Sequence, residues 1–100
     1  MCSYKVSRKA KNDLLAIGRY TSRKWGKTQR NIYLKQLDDC FTQLAENPKL
    51  GVDCDYIKKN YRKFPHGSHL VFYKQNSKRF VEIIRILHKS MDEEINLTQA

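Results

Sequence analysis

The sequence is short of acid: ten Asp and Glu stand against twenty Lys and Arg, leaving a formal charge of +10. It has no apolar run long enough to span a bilayer and no signal-type apolar segment near Met1. Its three cysteines, Cys2, Cys40 and Cys54, are odd in number and form no C-x-x-C pair. That pattern signals neither a disulfide framework nor a zinc site. A reducing, cytoplasmic compartment is therefore expected, with no metal and no cofactor. Repeats, low-complexity stretches and linkers are also missing. Residues 1–100 thus read as one domain, with a mobile acidic tail over 92–100.

What is present argues for a folded domain. Apolar residues make up 40% of the chain and aromatics 11%, enough for one hydrophobic core despite the charge. The basic excess points to a polyanionic or acidic partner: nucleic acid, an anionic membrane surface or an acidic protein. Tyr4 to Val6 alternates as a short strand, and Ser7 is a helix N-cap. Ala10, Leu14, Ile17 and Thr21, with Leu15 beside them, form one apolar face of a first helix. Gly26 closes it, since glycine enters positive φ at no steric cost. Thr28 is expected to cap a second helix, whose stripe is Tyr33, Leu37, Cys40, Phe41, Leu44 and Ala45, ending at Pro48 and Gly51. Cys40 reads as a small core residue. Two such helices form a hairpin that needs a sheet to cover its stripes.

The sheet comes from the second half of the chain. Strands are expected over Tyr56–Phe64, Ser68–Lys74 and Phe80–Leu87, joined by turns at Pro65-His66-Gly67 and Gln75-Asn76-Ser77. In the middle strand, Leu70 and Phe72 share one face, and His69, Val71 and Tyr73 the other. After His88 the chain turns acidic and ends in a short helix or a frayed tail. The fold class is α+β, in the order β-α-α-β-β-β, with an N-terminal helical hairpin on a small antiparallel sheet. Arg85 stands out, because an arginine within an apolar strand needs a partner, a groove or an edge.

Taken in order, several pieces resemble a known group. They are Asp13-Leu14, Trp25-Gly26, Pro48-x-Leu50-Gly51, Tyr61-Arg62 and Gly67-Ser68-His69-x-x-x-Tyr73. Ile84-Arg85-Ile86-Leu87-His88-x-x-Met91-Asp92 completes the set. The set is similar to the ParE branch of the RelE/ParE toxin superfamily, over nearly the whole chain. The resemblance implies a type II toxin–antitoxin toxin, neutralised in a hetero-oligomer by a ParD-like antitoxin whose acidic C-terminal tail folds onto it. It also implies inhibition of DNA gyrase, through the A subunit, by protein–protein binding, with indirect DNA contact and no membrane partner. The residues expected to meet antitoxin or target are Arg62, Tyr73, Arg85, His88 and Met91.

The superfamily's other branch cuts messenger RNA on the ribosome, which sets the competing expectation. Cleavage through a 2′-hydroxyl needs a base, cations on the phosphate and an acid for the leaving oxygen. Arg62, Arg85 and His88 are the candidates, with Lys58, Lys59 and Lys63 as further cations. Arg85 matches that branch in type, but no tyrosine follows it, and His88 alone could move a proton. His88 reads first as a strand-end residue bonding the tail backbone, His69 as a packed histidine and His66 as a solvated turn residue. No metal-ligand spacing links the three. A non-enzymatic toxin is the first expectation and an endoribonuclease the second. Trp25 is expected to cover the hairpin end as core, and Tyr61 and Tyr73 to pack on the sheet. Arg19, Arg23, Lys24, Lys27 and Arg30 are expected to form a solvated surface or to touch DNA phosphates.

Overall fold

In the computed structural model, which describes residues 3–77, 80–91 and 93–98, a helical hairpin lies across one face of a five-stranded sheet. The chain runs β1 (Ser3–Val6), α1 (Arg8–Trp25), α2 (Lys27–Glu46) and a 3-10 turn (Pro48–Leu50). It continues through β2 (Val52–Asp53), β3 (Tyr61–His66), β4 (His69–Ser77), β5 (Phe80–His88) and α3 (Glu93–Thr98). Spatial order is β1-β5-β4-β3-β2. This is the expected α+β arrangement with two changes: the short β2 adds a fifth strand beside β3, and β1 joins β5 in parallel, pairing Ser3 with Phe80 and Val6 with Ile83, so the sheet is mixed. The antiparallel meander holds for β3, β4 and β5.

The helices form for the reasons their sequences give. The Ser7 hydroxyl accepts from the Ala10 amide at 3.0 Å and caps α1. Gly26, at φ 93°, ends α1 and directly begins α2. Thr28 therefore lies within the first turn of α2 and is not its cap. Ala10, Ile17, Leu37, Cys40, Phe41, Leu44 and Ala45 are buried, and they meet Val71, Tyr73, Val81, Ile83 and Ile86 of the sheet; Thr21 is buried as well. Full burial of each large apolar side chain contributes about 1.5–3 kcal/mol. Leu15, expected beside that stripe, faces solvent. Burial pushes the Cys40 and Cys54 thiols up to about 11, which keeps both protonated and inert.

Strand boundaries depart from expectation where polar turn chemistry wins. Residues 54–60 turn instead of extending: the Asp53 carboxylate accepts from the Asp55 amide and the Asp55 carboxylate from the Asn60 amide, both at 2.7 Å. Asn60 itself sits at φ 70°. The strand consequently starts at Tyr61. Pro65 and His66 stay in β3, paired with Leu70 and His69, and Gly67–Ser68 makes a tight two-residue turn. β4 extends through Gln75–Ser77, which the sequence suggested as a turn. The far face of the sheet is not open to solvent throughout. Cys54, Tyr61, Phe72, Leu87 and Leu97 form a second buried cluster there, with α3 supplying Leu97. Cys2, Asp92 and the chain's last two residues lie outside the described residues.

Candidate functional site

The site is built where β1 stops. Its pairing ends at Val6–Ile83, and among the described residues no strand continues along the rest of the β5 edge. The start of α1 closes that edge. The Ser7 amide donates to the Ile83 carbonyl at 3.0 Å and the Ser7 hydroxyl to the Ile84 carbonyl at 2.8 Å. Asp13 Oδ2 accepts from the Ile86 amide at 3.0 Å. A register shift opposite Phe72 and Tyr73 places an extra residue on β5 and marks a bulge beside Arg85. Arg85 grips Asp13 with both arms of its fork, Nε to Oδ2 at 2.7 Å and Nη2 to Oδ1 at 3.0 Å. Its Nη1 donates to the Asn96 carbonyl of α3 at 3.1 Å. The arginine's partner thus lies inside the molecule.

Other expected residues are also engaged internally. Arg62 Nη1 donates to the Gly51 carbonyl at 2.8 Å. Tyr73 has no exposed surface; its hydroxyl donates to the Pro48 carbonyl at 2.7 Å and accepts from the Gly51 amide at 2.8 Å. Its place is the core, where it fastens the turn after α2 to the sheet. Lys63 bonds Glu93 and the Tyr56 hydroxyl, pinning α3. Lys58 lies over the Tyr61 ring and Lys59 is exposed. Arg62 engages the β2 side of the sheet and Arg85 the β5 edge, two strands away, about 10 Å across the ladder. His88 stands at the end of β5, with Nδ1 accepting from the Ser90 amide at 3.1 Å. These three side chains point to separate neighbours.

A groove of about 870 Å³ opens between α1, the hairpin turn and the β3–β4 end of the sheet. Ile17, Tyr20, Trp25 and Met91 give it apolar walls, while Lys24, Asp13, His69 and His88 supply polar groups. Trp25 is 64% exposed and Tyr20 58%. The expectation that Trp25 is core is therefore corrected: Trp25 is the last residue of α1 and lies mostly exposed at the hairpin turn, on the wall of the groove. Of the expected binding residues, His88 and Met91 line the groove; Arg62, Tyr73 and Arg85 do not. Deeper in, the Tyr33 hydroxyl lies 2.7 Å from His69 Nδ1, and the His69 ring packs edge-on to His88 at 5.5 Å. Burial, then the neighbouring His88 and His66, hold the His69 pKa below the usual histidine value, while Asp13 opposes them. His66 stacks obliquely on Tyr33 and is half-buried rather than solvated.

Asp13 and Tyr33 were not among the residues expected at the site. Asp13 follows Ala10 by three and precedes Ile17 by four, the spacing of the buried face. Tyr33 begins the buried stripe of α2, but nothing local announces a histidine across the hairpin.

A helical hairpin on a mixed sheet, with an open, largely apolar groove beside the hairpin turn, defines a small α+β domain. The sequence matches the profile of the ParE toxin of type II toxin–antitoxin systems (parDE) over residues 4–93, and the chain belongs to this family. It is 38% identical over 97 residues to "Toxin ParE1" of Caulobacter vibrioides, covering 97% of this chain and 99% of that protein. To "Toxin ParE1" of Mycobacterium tuberculosis it is 36% identical over 94 residues, covering 94% and 96%. The fold superposes on a chain of the solved chromosomal ParDE TA system from P. aeruginosa with a TM-score of 0.73. That match has 19% identity and covers 88% of this chain and 96% of that one.

Proposed function

We propose that the chain is the toxin of a two-gene module, neutralised by a ParD-like antitoxin, and that the free toxin inhibits DNA gyrase by protein–protein binding without chemistry of its own. The observation that carries this reading is the groove. Exposed Tyr20, Trp25 and Met91 offer an amphipathic segment its apolar contacts, and Lys24 offers a cation to its acidic side chains. An acidic antitoxin tail lying there gains steering from the +10 charge. The nuclease reading finds less support, because Arg85 is committed to Asp13, Arg62 to Gly51 and His88 Nδ1 to Ser90. A phosphate would have to compete with those bonds.

Purified gyrase provides the test. Folded toxin should abolish supercoiling, and equimolar antitoxin should restore it; normal supercoiling at a large excess of toxin sinks the gyrase reading. Transcript mapping after induction should show intact messages, whereas cuts within codons that disappear in Arg85→Ala would favour the nuclease. Within the groove, Tyr20→Glu should weaken antitoxin binding about tenfold or more, as expected for removal of an aromatic anchor.

A further inference from the structure

Each face of the sheet has its own buried cluster, and the two share no residue. The helical hairpin covers one face. On the other, Cys54, Tyr61, Phe72 and Leu87 are buried with Leu97 of α3, which completes the cluster. α3 has six residues, too few to stay helical in water without a surface beneath it. Among its described side chains only Leu97 is buried, and Ile95 is exposed. Polar bonds add to that anchor. Glu93 accepts from Lys63 and from the Tyr56 hydroxyl, each at 3.0 Å, and the Asn96 carbonyl accepts from Arg85.

Just ahead of α3 the chain is fastened separately. The Lys89 amide donates to the Ser68 carbonyl and the Met91 amide to the His88 carbonyl, both at 2.9 Å. Those bonds hold the end of β5 whether α3 is docked or not. Arg85 likewise keeps both bonds to Asp13 when the Asn96 carbonyl leaves. Lifting α3 thus gives up one buried leucine and polar bonds that water can replace, while the hairpin keeps its core on the opposite face. A unit held so lightly opens at lower free energy than the whole fold. We propose that α3 is a strap that lifts off the far face as a unit, uncovering Phe72, Leu87 and Cys54 while the rest of the domain stays folded. The opening requires neither antitoxin nor gyrase, and it presents an apolar face that the closed molecule hides.

Two thiols measure this from inside the molecule. Cys54 belongs to the cluster that α3 completes, close enough for the Glu93 charge to act on it, and Cys40 lies in the core beneath the hairpin. Both are buried and protonated, so a modifying reagent meets either one only after its cover opens. The full chain carrying Cys2→Ser is treated with iodoacetamide under native conditions, and each site is followed by mass spectrometry of its peptide. Cys54 should react at least tenfold faster than Cys40. Low urea should speed Cys40 steeply and Cys54 little, because lifting a strap exposes far less surface than unfolding. Leu97→Ala should speed Cys54 at least tenfold, and Glu93→Gln about threefold, since its ion pair is only partly shielded from water. Ile17→Val, in the hairpin core, should speed Cys40 about fivefold and leave Cys54 unchanged. Equal rates at the two thiols with the same urea dependence overturn the proposal, because α3 then opens only with the whole fold. A fast Cys54 that responds to neither Leu97→Ala nor Glu93→Gln overturns it too, and assigns the opening to the turn at residues 54–60.

Discussion

Asp13 answers three donors at once, the Arg85 fork and the Ile86 amide, with its side chain 15% exposed. Asp13→Ala should therefore cost about 3 kcal/mol in chemical denaturation, because it strands a largely buried guanidinium and an edge amide together. In a double-mutant cycle with Arg85→Ala, the double variant should lose less than the two single losses combined; simple additivity would refute the coupling. A second residue-scale outcome concerns His69, which faces Tyr33, His66, His88 and Asp13. Its folded pKa is depressed, mainly by burial, so between that value and its unfolded pKa the unfolded chain binds the extra proton. Its contribution is thus intact above about pH 6.5 and is lost as pH falls through the depressed value. The denaturation midpoint should drop from pH 7 to pH 5, and His69→Gln, which keeps an acceptor for Tyr33, should flatten that drop.

Among the elements, the turn after α2 has least room for change. A Cβ on Gly51 would sit 2.5 Å from the Tyr73 hydroxyl and 2.7 Å from the Lys63 carbonyl, one of which is buried and the other backbone. Gly51→Ala should lower stability by about 1–3 kcal/mol. Tyr73→Phe, which removes the phenol's two bonds to the same turn, should cost about as much. A thermal melt unchanged in either variant would show the turn to be independent of the sheet. The elements also show what the sequence could convey. Both helices, the Gly26 break and the alternation of Val71 and Tyr73 against Phe72 were legible, because period and capping are local properties. Strand ends around residues 54–60 were not, since side-chain carboxylates captured backbone amides that alternation assigned to a ladder. Nor was the site: Arg85 announced that it needed a partner, but only the bulge and the short β1 bring Asp13 to it. Trp25 was expected in the core because its exposure depends on what packs against the hairpin turn, which local sequence does not state.

At the scale of the whole molecule, charge and topology set how it meets its surroundings. Antitoxin binding should weaken steadily as salt rises, chiefly through slower association, which stopped-flow mixing would reveal. A salt-independent association rate would mean that apolar contact alone guides the encounter. Topology acts on another timescale. β1 finds its partner in β5, with Ser3 against Phe80, so the sheet cannot close until nearly the whole chain is available. Contacts of such sequence separation fold slowly, whereas the helical hairpin assembles from neighbouring residues. A growing chain therefore passes through a stage in which the hairpin's apolar stripe has formed and its sheet has not. During synthesis that stripe is open to any chaperone or partner within reach, and the earliest encounter with a neutralising protein can precede the finished fold.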